Sequence, residues 1–359
     1  MIKSLQSLRG LFAVGIFTNH CFNFLDSDFM LWCGDCGVAF FFILSGFVLS
    51  LGYSSRVLSP AFNYRVYAVR RLIRFMPLHL CILCICTLAA VHTLTAIDYL
   101  HCIPVLLLLQ SWSPNPDVFL CGNAPSWALS DLLFFAAVFP LVIHLRSRYP
   151  KLFYIFIGVV LIAYPLYLSA VSEGRMLYCV YILPAARLID FLLGMLLADG
   201  YTVLKDCCLS SVKVNILQIV AFAVLALAVA AYGHVSPVLD LASLWWVPVM
   251  LIIVVFALTD GRGILGRLLK LRPLVVLGDF SFTFYLIHFP LCRFLLHIFA
   301  PEYPSQTWIV LFYLCSLAVT LALSWVVWRY LECPASDALL RRFAPKNPKP
   351  FVNDTPEST

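Results

Sequence analysis

Charge is scarce in this sequence. Of its 359 residues only 12% are Asp, Glu, Lys or Arg, against roughly 25% in a soluble globular domain. That scarcity excludes a large water-soluble domain. Internal repeats are also lacking, and so are paired broken helices in two halves of the chain, which leaves little support for a secondary transporter built on inverted repeats. The first apolar stretch has no small-residue cleavage site after it, so it reads as a retained span and not as a signal peptide. What fills the chain instead is apolar: 62% of residues are hydrophobic and the mean hydropathy is +0.95. The expected fold is an all-α integral membrane protein.

Stretches long enough to cross a bilayer, about 20 apolar residues each, fall at 6–25, 36–54, 72–92, 127–145, 152–170, 178–199, 213–232, 241–258, 279–299 and 307–328. Ten transmembrane helices are therefore expected. The apolar run 101–112 is too short to cross and reads as a re-entrant or surface segment. If the N-terminus is cytoplasmic, the inside segments hold 19 of the 24 basic residues, and the outside loops hold only Arg175. This bias places both termini in the cytoplasm. It also accounts for the net charge of +6 without nucleic acid as a partner. Residues 1–335 form the expected transmembrane domain. Residues 336–359, rich in proline from Pro345 on, form the expected disordered cytoplasmic tail.

Most of the 14 cysteines fall in spans, where a thiol acts as a small hydrophobe. Cys33, Cys36, Cys102 and Cys121 fall on the expected outer side, where some of them could pair in an oxidising compartment. Four zinc ligands cannot be assembled from the sequence, so no metal is expected.

Two polar residues stand out in the first span. Arg9 and His20 are separated by an almost wholly apolar run. Eleven residues at about 100° each make three turns plus roughly 20°, so both lie on one helix face, about 16 Å apart along the axis. One is a permanent cation and the other titrates near neutral pH. Ionisable groups inside a span are costly and mark functional sites. The bland alternative has Arg9 snorkelling to the interface and His20 hydrogen-bonded between helices. An arginine-only inner loop, with Arg65, Arg70, Arg71 and Arg74, suits a polyanionic ligand such as a phosphate through the guanidinium fork, or else serves as a topological anchor. Arg70 and Arg74 share a helix face. Arg187 and Asp190 form an expected i,i+3 pair at mid-membrane. Asn19, Ser45, Asp131, Arg187, Tyr285 and His288 are further candidates for a cavity or an oxyanion site. Arg329 and Glu332 read as an interfacial i,i+3 pair.

In sum these segments resemble the acyltransferase-3 family of polytopic membrane acyltransferases over nearly the whole chain. The matching stretches are Leu8-Arg9-Gly10 with the spacing to His20, Phe41-Phe42-Ile43-Leu44-Ser45-Gly46-Phe47, Arg70-Arg71-Leu72-Ile73-Arg74, Pro125-Ser126-Trp127, Pro184 to Met195, Leu277 to His288, and Tyr330-Leu331-Glu332-Cys333-Pro334. The resemblance implies ten helices and transfer of an acyl group, often acetyl, from acyl-CoA to a hydroxyl of a carbohydrate or lipid-linked glycan, as in exopolysaccharide O-acetylation. It assigns essential roles to Arg9 and His20 and links Arg70, Arg71 and Arg74 to the donor. Three positions depart from the family pattern. Gln6 stands where an aspartate is usual, Leu132 where a glutamate is usual, with Asp131 one residue early, and Cys333 replaces an arginine.

The mechanism this suggests has donor phosphates on the arginine cluster and the pantetheine arm running past Arg9. His20 then acts as general base on the acceptor hydroxyl, or as a covalent acyl relay, and Asn19 or Ser45 serves the oxyanion. Acyl-CoA enters as co-substrate, with no tightly bound cofactor. The other partners are the acceptor and membrane lipids, and the expected site is a bacterial inner membrane. The rival readings are a non-enzymatic transporter or flippase of a glycolipid or acylated glycan, and a catalytically dead scaffold. No outer domain is expected after the tenth span, so the acceptor is expected to reach the membrane core itself or to be passed to a separate partner.

Overall fold

The computed structural model describes residues 2–25, 30–90 and 96–344, and every regular element within them is helical. The principal helices are α1 (Lys3–Asn23), α2 (Trp32–Val57), α3 (Tyr64–Ala89), α4 (Ala96–Leu106), α5 (Trp127–Arg148), α6 (Pro150–Ala170), α7 (Pro184–Leu204), α8 (Ser211–Ala231), α9 (Trp246–Leu258), α10 (Arg272–Asp279), α11 (Ser281–Phe299), α12 (Gln306–Val327) and α13 (Cys333–Phe343). Each expected span overlaps one of them, and the one expected at 178–199 begins in the separate π-helical stretch Leu177–Ile182 before α7. Among the described residues, seven helices are long and apolar enough to cross a membrane, or eight if the pair Glu173–Ile182 and Pro184–Leu204, bent by 43°, is one span. The chain is a multi-pass membrane protein.

Two expected spans do not reach that standard. α9 with its preceding turn, Ser243–Leu258, is a shorter apolar helix. α1 carries Ser4, Gln6 and Ser7 in its buried face besides Arg9. Other boundaries shift for local reasons. The helix of the third span starts at Tyr64, where Asn63 caps it by accepting from the Val66 N–H. Arg65, Arg70, Arg71 and Arg74 therefore stand on helical turns of α3 and not in a loop. The span expected at 279–299 is preceded by a break at Phe280, so Asp279 closes α10. The boundary placed at residue 335 falls inside α13, and the rest of the expected tail, with Lys346 and Lys349, lies outside the described residues.

Close backbone approach sets the centre of the bundle. α2 and α7 form its most extensive pairing. They meet where Gly46 faces the Phe191 carbonyl and Gly194 faces the Ile43 carbonyl, and a Cβ at either glycine would overlap that backbone. Small residues permit such contacts between membrane helices. α1 packs on α10 in the same way, with Gly278 against the Gln6 carbonyl. The N-terminus of α1 is anchored from outside the helix: Asp260 Oδ1 accepts from the Ser4 N–H at 2.9 Å and from the Ser4 hydroxyl at 2.7 Å. A carboxylate there also suits the positive end of the helix dipole.

Prolines inside helices tie the outer elements to this centre. A proline has no N–H, so the carbonyl four residues earlier loses its partner. Pro140 in α5 frees the Ala136 carbonyl, which accepts from the Tyr67 hydroxyl of α3 at 2.8 Å. Pro290 in α11 frees the Leu286 carbonyl, which accepts from the Asn123 side-chain amide at 2.9 Å. The peripheral helices are apolar and exposed. Leu152, Ile155, Phe156, Ile162 and Leu166 of α6 all face outward, the surface a lipid environment requires.

Candidate active site

α1, α2, α3, α5 and α11 enclose a cavity of about 790 Å³, within the usual range for small-molecule sites. One end is polar, lined by Gln6, Arg9, Arg71, Arg74 and Asp279, and the body is apolar, with Phe41, Phe42, Leu129 and Leu132 in its walls. The lining ends at Ile16 on α1 and at Tyr285 on α11.

At the polar end, Arg9 is held through an amide and not through a direct carboxylate. Its Nη1 donates to Gln6 Oε1 at 3.2 Å, and Gln6 Nε2 donates to Asp279 Oδ1 at 2.8 Å. Glutamine can accept from a cation and donate to an anion at once, so Gln6 links the two across the α1–α10 contact. Arg74 pairs with Glu332 at 2.7 Å and lies over the Phe282 ring at 4.7 Å. The Thr283 hydroxyl donates to the other Glu332 oxygen. This overturns the expected Arg329–Glu332 pair. Residues Trp328–Glu332 are π-helical, and the wider turn of that helix takes Glu332 off the face that an α-helical i,i+3 count assigns. Arg71 is held by rings, at 4.6 Å from the centroid of Tyr53 and 5.1 Å from that of Tyr67. Three guanidiniums thus line the cavity with two carboxylates among them, an excess of positive charge suited to an anion. Arg70 is not in the lining; its Nη2 reaches the Ala344 carbonyl at 3.5 Å, beyond α13.

His20 lies one helical turn beyond the last cavity residue of α1. Its ring is 5.3 Å from that of His288 and 5.2 Å, edge-on, from that of Phe289. His288 is fully buried. Its Nδ1 is 2.6 Å from the Tyr285 carbonyl, an acceptor only, so Nδ1 carries the hydrogen. In the neutral ring Nε2 is then a bare lone pair, and it has no hydrogen-bond partner. The Tyr285 hydroxyl donates to the Pro125 carbonyl at 2.8 Å. Ser45 lines the cavity. Asn19 does not, because its amide donates to the Leu31 carbonyl at 2.8 Å and secures the start of α2.

The remaining candidates form a separate buried cluster. Arg187 and Asp190 make the expected pair at 3.2 Å with both side chains fully buried, and Trp246 donates to Asp190 at 2.8 Å. The Arg187 guanidinium stacks 5.2 Å from the Phe42 centroid, so the cluster backs the cavity wall without entering the cavity. Asp131 is fully buried and neither of its oxygens is hydrogen-bonded. It is absent from the lining, whereas its neighbour Leu132 is present. Among the described residues no group of three or more His, Cys, Asp or Glu converges as a metal site would. Two supports are not marked by any motif, the Gln6–Asp279 link and Asn123. Pro290, four residues after Leu286, was the available sign that a donor had to come from elsewhere.

Comparison with known proteins gives a consistent answer. The profile of the acyltransferase-3 family, described as an acyltransferase domain, matches residues 2–329. The acyltransferase MdmB of Streptomyces mycarofaciens is 28% identical over 82% of this chain and 79% of its own length. The O-acetyltransferase OatA of Staphylococcus aureus strain MRSA252 is 24% identical over 98% of this chain. The chain spans 60% of the length of that OatA. No solved structure matches the chain.

Proposed function

The chain belongs to the acyltransferase-3 family and is an acyltransferase, and we propose that it transfers an acyl group, acetyl in the simplest case, from acyl-CoA to a hydroxyl of a glycan or lipid-linked acceptor. One observation carries this reading: a single cavity joins a cationic mouth to the turn below His20. A donor with an anionic head and a long apolar-tolerant arm has that shape. Its phosphates would sit at Arg71 and Arg74, with Arg70 on the neighbouring face, and its arm would pass Arg9. The charge distribution favours a cytoplasmic mouth, where CoA is available, with both termini on that side. The organisms of the relatives favour a bacterial cell membrane.

In the proposed reaction the acceptor oxygen attacks the thioester carbonyl while His20 takes its proton. The carbon–sulfur bond then breaks, and the proton passes to the leaving thiolate. General-base assistance of this kind is worth about 10²–10⁴ in rate. Ser45, on the cavity wall, is placed better than Asn19 to donate to the oxyanion, because the Asn19 amide is already engaged. His288 packs against the His20 ring and limits how it turns. His20 is not itself in the lining, so for the thioester to reach it the cavity must open further at the end marked by Ile16 and Tyr285.

The test is acetyl-CoA-dependent thermal stabilisation of the purified chain, together with acyl transfer. A ligand at 100 times its Kd stabilises by about 2.7 kcal/mol. Arg71→Ala/Arg74→Ala should lose the shift. His20→Ala should keep it and lose transfer. No shift in the parent chain, or transfer surviving in His20→Ala, would refute the reading.

A further inference from the structure

The four cysteines expected on the outer side do not behave alike. Cys33 and Cys36 are buried in the first turns of α2. Cys102, on α4, and Cys121, which follows the short turn Pro116–Phe119, are half-buried, and their Sγ atoms lie 3.3 Å apart. α4 and that turn pack directly on each other. The two backbones are thus already neighbours, and bonding needs only that the sulfurs close to about 2.05 Å.

We propose that Cys102 and Cys121 are oxidised to a disulfide when the chain is in its membrane. This rests on the reading that puts the segment 96–126 on the outer face. The oxidant is an external disulfide, carried by a thiol oxidoreductase or a small molecule. The Cys102 and Cys121 thiols lose their two protons and two electrons, one sulfur–sulfur bond forms between them, and the oxidant's own bond is reduced to two thiols.

The position of the bridge gives it a consequence. The bridged segment leads straight into Asn123 and Pro125, which hold the Leu286 carbonyl and the Tyr285 hydroxyl of α11. Tyr285 lines the inner end of the cavity, with Leu286 buried beside it and His288 three residues further on. A closed bridge therefore fixes the piece of chain that seats this end of the site, away from any donor or acceptor contact.

Differential thiol labelling tests it on the full chain in native membranes. Membranes are dissolved in denaturing detergent with one maleimide and no reductant, then reduced and treated with a heavier maleimide, and the peptides are weighed. Cys33 and Cys36 should take the first reagent, and Cys102 and Cys121 only the second. In Cys102→Ser, Cys121 should move to the first. Cys102 and Cys121 both taking the first reagent in the parent chain would overturn the proposal, as would either one bonded to a different cysteine. Acyl transfer measured on the same membranes separates the two readings. Transfer with both thiols reduced overturns the bridge and leaves the proposed function standing, and a bridge without transfer does the reverse.

Discussion

Gln6→Ala should uncouple Arg9, one of the three arginines that line the cavity, from the Asp279 carboxylate that steadies it. The change removes two hydrogen bonds, from Arg9 at 3.2 Å and to Asp279 at 2.8 Å. Each has one ionised partner, and a bond of that kind is worth about 1.5–3 kcal/mol. If the loss on the Arg9 side appears as weaker donor binding, the KM for acyl-CoA should rise about tenfold to a hundredfold, since about 1.4 kcal/mol is a factor of ten. The turnover number should change far less, because Arg9 and His20 are about 16 Å apart along α1 and the base is untouched. The assay is the KM against kcat split with acyl-CoA varied, in detergent and in proteoliposomes, with the melting temperature as the control for folding. A KM within about twofold of the parent, in a chain of unchanged Tm, would show that Arg9 needs no tether or takes no part in donor binding, because one such bond alone predicts a larger shift.

Other outcomes follow from the packing and the charges. Asn123→Ala leaves the carbonyl freed by Pro290 buried and unpaired, so it should lower stability by about 1–3 kcal/mol, read as a drop in Tm. Tyr67→Phe should do the same for the Ala136 carbonyl, and full parental Tm in both would refute the account of the prolines. Gly194→Leu would drive a side chain into the Ile43 backbone and should abolish accumulation of folded protein, while Gly158→Ala, with open space around it, should leave it unchanged. At Asp260, burial presses the carboxyl upward, but the Ser4 N–H and hydroxyl and Lys270 outweigh it and hold the group below its ordinary value. Its stabilisation is therefore complete above the unfolded value, about 3.9, and is lost as pH falls through the lower folded one. The Tm gap between the parent and Asp260→Asn should be full at neutral pH and close only below about pH 4; a gap that closes on the alkaline side would contradict this.

The apolar segments were legible because membrane helices advertise themselves by composition. The spacing of Arg9 and His20 was legible because one helix fixes both. Periodicity could relate Arg70 to Arg74, but it could not say which face of α3 meets the bundle. The structure divides that row, turning Arg71 and Arg74 to the cavity and Arg70 toward Ala344. Glu332 escaped because the count along the chain assumed α-helical turns where the backbone is π-helical. The missing carboxylate beside Arg9 looked like a defect at Gln6, and only the contact of α1 with α10 reveals that Asp279 stands behind the amide. His20 lies a turn beyond the cavity lining, and since that lining is drawn from several helices no single stretch of sequence records where it ends.

α1 carries Arg9 and His20, yet among the described helices it is not one whose composition suits it to cross a bilayer, and the first that does is Trp32–Val57. An isolated helix with an arginine in its second turn and buried serines and a glutamine around it is poorly accepted by lipid. Ser4, Ser7 and the Gln6 amide N–H find their partners only when Asp260, Leu269 and Asp279, residues made hundreds of positions later, are in place. Biogenesis must then run out of order with translation. α1 cannot take its final seat until Asp260, Leu269 and α10 have been made, and the polar end of the cavity forms only when α1 and α10 meet.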